Sequence, residues 1–372
     1  MKISQLSAPQ VERLQRHLGL RGFGPAAQEK LLNARVTVVG AGGLGSAALP
    51  YLAAAGVGQI TLVDDDVVDR TNLQRQVIHS EANLGMAKTQ SAAQVLRGLN
   101  PDIALTLVNE RLTSTNALEV LGGADVILDG TDNFTTRYVV ADAAEILDIP
   151  VVWGAILRFF GQLSVFWPGK GPLYRDLYPS PPAPGEVPSC AEAGVLGVLP
   201  GVIGSLMATE AIKVLAHIGE PLIGQLLTYD ALSVKFEKIP VRPDPSRVPV
   251  TSVGADVVDD VGNTCGAGSR EGEVSAVQLR ERIREGEPMN LVDVREEWEW
   301  KMGHIPGAQL VPLSQLMEQP RLPGLKPGRP TYVYCRSGGR SARAIELVKG
   351  NHPNAQFINV TGGMQQWEQT EN

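Results

Sequence analysis

The chain has 372 residues, of which 43% are hydrophobic and 20% are charged. This length predicts two domains with sizeable cores, and the composition excludes a wholly disordered chain. The net charge of −7 disfavours a nucleic-acid surface as the main partner.

The cysteines and the hydropathy pattern bear on where the protein works. Cys190, Cys265 and Cys335 are too few for a disulfide framework, and their odd number favours reduced thiols in the cytosol. The first residues lack an apolar run long enough for a signal peptide. The longest apolar region, residues 194–208, is interrupted by glycines and a proline, so we interpret it as a buried loop and the start of a helix. We expect a cytoplasmic protein without a membrane span.

The first predicted element is a helix from about Pro9 to Leu18, with Ser7 as its N-cap. Arg13, Arg16 and His17 lie on this helix. Their spacing alone indicates no more than an exposed basic helix.

A strand, a glycine turn and a helix follow in direct succession. Residues 36–39 are apolar, the sequence Gly-Ala-Gly-Gly-Leu-Gly occupies 40–45, and an alanine-rich segment to about Ala55 is typical of a helix. Glycine allows a tight turn and a close approach to a phosphate, and the N–H groups at the helix start point to the same place. The pattern therefore predicts an anion site, with Gly40, Gly42, Gly43 and Gly45 as candidate ligand-binding residues.

The next strand, residues 60–63, ends at Asp64, whose carboxylate could accept hydrogen bonds from a ribose. Taken alone, this arrangement suggests a dinucleotide-dependent dehydrogenase. The amides and cations that follow, Asn72, Arg75 and Lys88, suit a triphosphate better than a nicotinamide. The alternative for the two cations is a solvated helix face.

Apolar runs alternate with helical patterns up to residue 152, which predicts a mainly parallel sheet with helices on both faces. Ligands of such sheets bind at the carboxyl ends of the strands. Asp132 follows one of these strands and could hold Mg²⁺ on a nucleotide phosphate. Its alternative role is to cap the next helix, and the two roles could coexist.

From residue 161 the pattern becomes β-type, with a strand at 162–167 and a late hairpin at 226–229 and 233–239. The proline-rich residues 179–188 between them lead to Cys190, which predicts a crossover loop carrying a thiol. A helix with Met207, Ala211 and Val214 on one face ends near Gly219. Residues 242–272 lack periodicity and are interpreted mainly as a linker, with Cys265 as a spare thiol.

The last hundred residues predict a second α/β unit. Ser275 caps a helix through Arg284, and residues 290–293 and 331–334 are strands. Cys335 follows the second strand and precedes a helix at 342–349, with Arg336 and Arg340 nearby. Loop N–H groups, a helix N-terminus and cations all stabilise an anionic sulfur, so this cysteine is a candidate nucleophile. The alternative is a buried, inert thiol.

Residues 1 to about 240 resemble the adenylyltransferases that activate ubiquitin-like sulfur-carrier proteins. The similarity lies in residues 16–17, the glycine loop at 40–45, Asp64, residues 72–76, Lys88, residues 131–133 and the loop around Cys190. Residues 273–370 resemble a rhodanese domain, through residues 291–295, residues 303–308 and the loop that begins at Cys335. Together they resemble the molybdopterin-synthase adenylyltransferases with a fused sulfurtransferase.

The resemblance implies an α/β fold, with a Rossmann-like ATP-binding adenylyltransferase domain built on a mostly parallel sheet and a smaller α/β rhodanese-like domain. We assign residues 1–245 to the first domain, 246–272 to a linker and 273–372 to the second domain. The linker would raise the effective concentration of each site for the other.

Residue roles also follow from the resemblance. Asp64 would bind the ribose, Asn72, Arg75 and Lys88 the phosphates, and Asp132 would position magnesium. Arg16, together with Arg13, would reach the triphosphate bound by a partner subunit, which implies a homodimer. The implied nucleotide set also includes the glycine loop and Thr71, Leu73, Gln74 and Asn133. The implied catalytic residues are Arg16, Arg75, Asp132, Cys190 and Cys335.

The implied substrate is the C-terminal glycine of a small carrier protein ending in Gly-Gly. Its carboxylate would become an acyl-adenylate, which a Cys335 persulfide would attack to form an acyl disulfide. Cys190 is the candidate for the reductive cleavage that releases a thiocarboxylate. A cysteine desulfurase or thiosulfate would supply the sulfur. The pathway would be molybdenum-cofactor, thiamine, cysteine or tRNA-thiolation chemistry.

The sequence departs from the family at one place. Relatives often hold a structural zinc with two Cys-x-x-Cys pairs, but the matching stretches here, 173–176 and 242–245, contain no cysteine. We therefore expect no zinc, and we expect packing of the proline-rich segment to replace it. An alternative overall function is a scaffold that docks the carrier while only the rhodanese domain is catalytically active.

Overall fold

The structure is a computed structural model that describes residues 1–182, 194–254 and 272–369. The chain forms two compact units, Met1–Val261 and Gly262–Asn372. Cys190 and Cys265 lie outside the described residues.

An eight-stranded sheet forms the centre of the first unit. Its order is β3-β2-β1-β4-β5-β6-β7-β8; the first five strands run parallel and the last three antiparallel. This confirms the mostly parallel α/β fold and the late hairpin. The strands are β1 (Arg35–Val39), β2 (Gln59–Val63), β3 (Ala104–Val108), β4 (Val126–Asp129), β5 (Val151–Leu157), β6 (Phe160–Phe166), β7 (Gln225–Asp230) and β8 (Lys235–Pro240).

Helices cover both faces of this sheet, with one apolar core cluster on each face. They are α1 (Ala8–Leu18), α2 (Gly24–Asn33), α3 (Gly43–Ala54), α4 (Lys88–Leu99), α5 (Ala117–Leu121), α6 (Phe134–Leu147), α7 (Tyr174–Leu177) and α8 (Leu199–Ala216). The first helix begins at the predicted Ser7 cap, whose capping box includes Gln10. The short helices α2 and α5 were not predicted from the sequence.

Helix α8 packs closely against α3. A Cβ at Gly204 would lie 2.4 Å from the carbonyl oxygen of Leu44, so only glycine permits this approach. By length and apolarity α8 also meets the criteria for a membrane span, but 61% of it is buried. Its predicted apolar face, including Met207 and Ala211, belongs to the core. The preceding residues 194–198 are exposed or half-buried, so the expected buried loop is wrong for this segment.

The second unit has a five-stranded parallel sheet in the order β11-β10-β12-β13-β9. Its strands are β9 (Glu273–Ser275), β10 (Asn290–Asp293), β11 (Gln309–Leu310), β12 (Thr331–Tyr334) and β13 (Phe357–Thr361). Its helices are α9 (Ala276–Arg284), α10 (Glu297–Met302), α11 (Leu313–Glu318), α12 (Gly339–Val348) and α13 (Gly363–Gln369). Ser275 caps α9 as predicted, since its hydroxyl accepts the Gln278 N–H.

The start of the predicted linker contacts the first unit. The Arg247 guanidinium bonds Glu145 on α6, and the N–H groups of Val250 and Gly254 donate to Glu145 and Asp142. Residues 247–254 therefore pack on α6. The domain boundary at residue 245 stays a prediction.

Candidate active sites

The glycine loop connects β1 to α3 at the carboxyl end of the sheet. Gly40 has φ 97°, which favours glycine, and a Cβ at Gly45 would lie 2.0 Å from the carbonyl oxygen of Gly40. No described residue accepts the backbone N–H groups of residues 42–45. These donors, together with the positive end of α3, form a site for a phosphate.

Asp64 follows β2 and supports this loop. Its Oδ2 accepts the N–H of Ala41 at 2.7 Å, and its Oδ1 accepts the N–H of Asp66 at 2.9 Å. Burial raises the pKa of the Asp64 carboxyl, while Lys88 and these N–H groups act in the opposite direction. Each oxygen keeps a lone pair that could accept a ribose hydroxyl.

Lys88 is the first residue of α4 and its side chain is only 6% exposed. Its ammonium lies 2.8 Å from the carboxylate of Asp66, whose side chain is 68% exposed. The ammonium is therefore held beside Asp64 by a counter-ion that faces solvent. The alternative in which Lys88 lies on a solvated helix face is wrong, because the side chain is buried.

The segment after Asp64 forms a tight turn next to the glycine loop. Asp69 caps it by accepting the N–H of Thr71, and the Arg75 guanidinium donates to the carbonyl oxygen of Thr71 at 3.1 Å. The Asn72 carbonyl oxygen accepts the N–H groups of Arg75 and Gln76. The turn thus fixes the backbone of the predicted phosphate-binding residues.

Gly197 packs against Gln74 in this turn. A Cβ at Gly197 would lie 2.3 Å from the Gln74 carbonyl oxygen, so the segment before α8 also borders the nucleotide loop. Leu73 is half-buried beside it.

The loop after β4 meets the glycine loop directly. A Cβ at Gly40 would lie 3.1 Å from the carbonyl oxygen of Gly130. Asn133 caps α6 by accepting the Thr136 N–H at 2.8 Å, so the alternative in which Asp132 is the helix cap is wrong. Asp132 is exposed at this edge and has no hydrogen-bond partner among the described residues, which leaves its carboxylate available for a cation.

The two arginines of α1 differ in their surroundings. The Arg13 guanidinium bonds Asn100 at 2.8 Å and pairs with Asp102 at 2.9 Å, both in the same chain. Arg16 is exposed, with no ion-pair partner in the described parts of the chain. Of the two, Arg16 is the one whose charge is not already paired.

Cys335 directly follows β12 and is fully buried. Its sulfur accepts the N–H of Gly338 at 3.1 Å, and the hydroxyl of Ser341 lies 3.6 Å from it. Helix α12 begins at Gly339, earlier than the predicted 342, so the sulfur lies at the helix N-terminus. This is the geometry expected for a stabilised anionic sulfur.

A second turn holds the Cys335 loop in place. The Met364 N–H donates to the Cys335 carbonyl oxygen, and the Gly362 N–H donates to that of Ser337. A Cβ at Gly363 would lie 2.3 Å from the Cys335 carbonyl oxygen. We did not identify residues 362–363 from the sequence, although two adjacent glycines after an apolar strand were a usable signal.

Arg340 does not act as a free cation beside the sulfur, contrary to our expectation. Its guanidinium makes a bidentate pair with Glu299 at 2.6 and 2.7 Å, and Glu299 is 3% exposed. Burial, the largest single influence, raises the pKa of Glu299, but the bonds from Arg340, the Glu296 N–H and the charges of Arg340 and Arg295 together lower it below its ordinary value. Arg336 remains exposed beside the loop.

The two stretches that would carry the zinc ligands are joined by polar contacts. The Asp176 carboxylate accepts the Asp244 N–H at 3.1 Å and the Arg247 Nε–H at 3.0 Å. Arg247 also pairs with Glu145 at 2.9 Å. Among the described residues no cluster of three His, Cys, Asp or Glu side chains could hold a metal. These stretches do not fit a zinc ion, and the Asp244 N–H bond to Asp176 and the ion pairs of Arg247 hold them together. Residues 183–188 of the proline-rich segment, whose packing we expected to replace zinc, lie outside the described residues.

Comparison with known proteins identifies both units. The ThiF family matches residues 14–250, and the rhodanese-like domain matches residues 275–370. The chain belongs to the ThiF family. As a ThiF protein with a rhodanese domain it is an enzyme that uses ATP, an adenylyltransferase and sulfurtransferase, and the predicted resemblance and fold class are confirmed.

Similar proteins support this membership. The probable adenylyltransferase/sulfurtransferase MoeZ of Mycobacterium tuberculosis is 46% identical over 98% of this chain and 94% of its own length. The sulfur carrier protein adenylyltransferase of Thermus thermophilus is 51% identical over 65% of this chain and 90% of its own. The crystal structure of E. coli MccB with ATP has a TM-score of 0.54 at 22% identity, covering 61% of this chain and 68% of that chain, and shares the fold of this ThiF protein.

Proposed function

We propose that the first domain adenylates the C-terminal glycine of a ubiquitin-like sulfur carrier, and that the second domain converts the adenylate to a thiocarboxylate. Two relatives support this substrate class: the sulfur carrier protein adenylyltransferase of Thermus thermophilus and the SAMP-activating enzyme E1 of Haloferax volcanii. The observation that carries the proposal is the set of N–H groups at residues 42–45 that have no acceptor among the described residues, bordered by Asp64, Lys88 and the exposed Asp132.

In the first step the carrier carboxylate attacks the α-phosphorus of ATP, the bond to the bridging oxygen breaks, and pyrophosphate leaves. The glycine-loop N–H groups and the cations Lys88 and Arg75 hold the phosphates, and Asp64 holds the ribose. Asp132 would hold Mg²⁺, which supplies charge neutralisation on the phosphates.

Arg16 acts on the nucleotide of a second copy of the chain. Its guanidinium stabilises negative charge that develops on the phosphates during adenylation. Arg13, paired with Asp102, anchors the same helix to the end of α4. The protein is therefore a homodimer whose nucleotide sites are completed by the partner.

In the second step the terminal sulfur of a Cys335 persulfide attacks the carbonyl carbon of the adenylate, and AMP leaves. The resulting acyl disulfide is cleaved when the Cys190 thiolate attacks the Cys335 sulfur. The thiocarboxylate leaves with the carrier, and a Cys190–Cys335 disulfide remains for an external reductant. The persulfide sulfur comes from thiosulfate or a cysteine desulfurase.

Two further features belong to the proposal. The protein works in the cytoplasm, where its thiols stay reduced. It needs no structural zinc, because the contacts of Asp176 and Arg247 connect the stretches that zinc would join.

Carrier-dependent exchange of pyrophosphate into ATP tests the first step. We expect exchange with a carrier ending in Gly-Gly and none with the same carrier lacking its last glycine. Absence of exchange with every candidate carrier favours the scaffold, in which only the rhodanese domain acts.

A further inference from the structure

The peptide groups of Ala41 are held by two side chains from different segments. Its N–H donates to Asp64 at 2.7 Å, and its carbonyl oxygen lies 3.0 Å from Nε2 of His79. Ala41 itself is fully buried in the glycine loop. No motif in the sequence drew attention to His79, which follows the phosphate-binding turn by three residues.

The contacts of His79 fix its protonation pattern. A carbonyl oxygen only accepts hydrogen bonds, so Nε2 must carry the proton. Nδ1 lies 2.9 Å from the hydroxyl of Ser91 on α4, which donates to it. His79 is only 6% exposed, and burial lowers the pKa of its imidazole, which keeps the ring neutral.

This contact sets the direction of a phosphate-binding N–H. In a trans peptide the C=O and N–H point in opposite directions, and the described chain has no cis peptide. The carbonyl of Ala41 points toward the buried His79, so the N–H of Gly42 points away from it. That N–H is one of the loop donors for which the described part of the chain offers no acceptor.

The same contacts tie the cation-bearing segments to the loop. His79 belongs to the segment that carries Arg75, and Ser91 lies on the helix that begins with Lys88. The chain of contacts from Ser91 through His79 to Ala41 therefore fixes both segments against one peptide group.

We propose that His79 is a positioning residue for ATP, which holds the Ala41 carbonyl inward and thereby turns the Gly42 N–H toward the phosphates. This role rests on the proposed adenylation, but the effect of His79 on ATP binding can be measured without a carrier protein. The residue acts through the loop and does not touch the reacting atoms.

Two substitutions separate the two contacts of the ring. The Nε2 amide of His79→Gln has the same number of bonds from the backbone as the imidazole Nε2, so it can donate to Ala41. The Oδ1 of His79→Asn matches Nδ1, so it can accept from Ser91 but leaves the Ala41 carbonyl unbonded. His352→Gln in the second unit, where the ring accepts the Leu322 N–H, is the matched histidine control.

The measurements are calorimetric binding of ATP and the kinetics of pyrophosphate exchange on the full-length protein. We expect His79→Asn to raise Kd and KM for ATP about tenfold, with a smaller change in kcat. His79→Gln and the control should stay within about twofold of the wild type. Equal ATP affinity in His79→Asn and the wild type overturns the inference, as does equal weakening by Gln and Asn.

A spectroscopic measurement tests the same inference without a variant. The two-bond ¹H–¹⁵N spectrum of the wild type should show His79 as the Nε2–H tautomer, and the Nδ1–H tautomer would overturn it. If the wild type binds ATP but no carrier supports exchange, the proposed function fails, while the binding data still decide the role of His79.

Discussion

The buried ammonium of Lys88 lies 2.8 Å from the exposed carboxylate of Asp66, at the edge of the sheet where the glycine loop offers N–H groups without an acceptor in residues 1–182, 194–254 and 272–369. A bound phosphate would share this cation with Asp66. The pair therefore keeps the charge of Lys88 in place before the nucleotide arrives.

Replacing Lys88 by methionine should weaken ATP binding by roughly ten- to one hundredfold, because one charge-assisted bond to a phosphate is lost. Asp66→Asn leaves an oxygen to hold the ammonium and should keep the affinity within about threefold. Calorimetric titration with ATP checks both. Wild-type affinity in Lys88→Met would remove the residue from the site.

Gly42→Ala tests whether the loop approaches a ligand. A Cβ there would meet only Gln76 Nε2 at 3.7 Å, an ordinary contact, so the melting temperature should not change. ATP affinity should fall about tenfold, because the methyl group stands where the backbone approaches a phosphate. Gly98→Ala, where nothing lies within 4 Å, is the control and should change neither binding nor fold. Unchanged ATP binding in Gly42→Ala would contradict the assignment.

The contacts of Arg247 should stabilise the first domain without metal. Arg247→Met leaves the carboxylates of Asp176 and Glu145 without their partner, and these side chains are only 3% and 13% exposed. The substitution should therefore lower the free energy of unfolding by roughly 3 kcal/mol. Arg70→Met breaks an exposed pair with Glu81 and should cost less than about 1 kcal/mol.

Urea unfolding of each variant measures these costs, and a metal chelator should leave the wild-type midpoint unchanged. Equal destabilisation by the two substitutions, or loss of wild-type stability on chelation, would show that ion pairs do not replace zinc.

The Glu299–Arg340 pair should make the second domain sensitive to acid. The pKa of Glu299 is lowered in the folded state, so its stabilisation is complete above the ordinary value of 4.5 and is lost as the pH falls through the folded value. Glu299→Gln should lower the free energy of unfolding by about 2 kcal/mol at neutral pH. This loss should become smaller as the pH falls below 4.5.

The urea concentration that halves the rate of thiocyanate formation from thiosulfate and cyanide reports the stability of this domain. It is measured at several pH values for the wild type and Glu299→Gln. A cost that stays constant from neutral to acid pH would contradict the ion-pair account.

Local patterns predicted much of the fold. Ser7 and Ser275 cap the helices they were expected to cap, and the alternation of apolar runs gave the parallel strands that place Asp64 and Asp132 at one edge. Helix α2 has no strong apolar stripe, and β11 has only two residues, so neither carries a periodic signal that a sequence can reveal.

The missed site features depend on contacts between distant segments. Glu299 reaches Arg340, His79 reaches Ala41, and Gly363 packs on Cys335; each contact depends on how separate strands and helices pack. Sequence spacing places Arg340 beside Cys335, but it does not reveal that a buried carboxylate has already paired with it.

The most direct test of the two-step account is mass spectrometry of the carrier after incubation with ATP, thiosulfate, a reductant and either the wild type or Cys335→Ala. The wild type should yield the carrier thiocarboxylate, whereas Cys335→Ala should stop at the acyl-adenylate. Thiocarboxylate formation at the wild-type rate by Cys335→Ala would contradict the account.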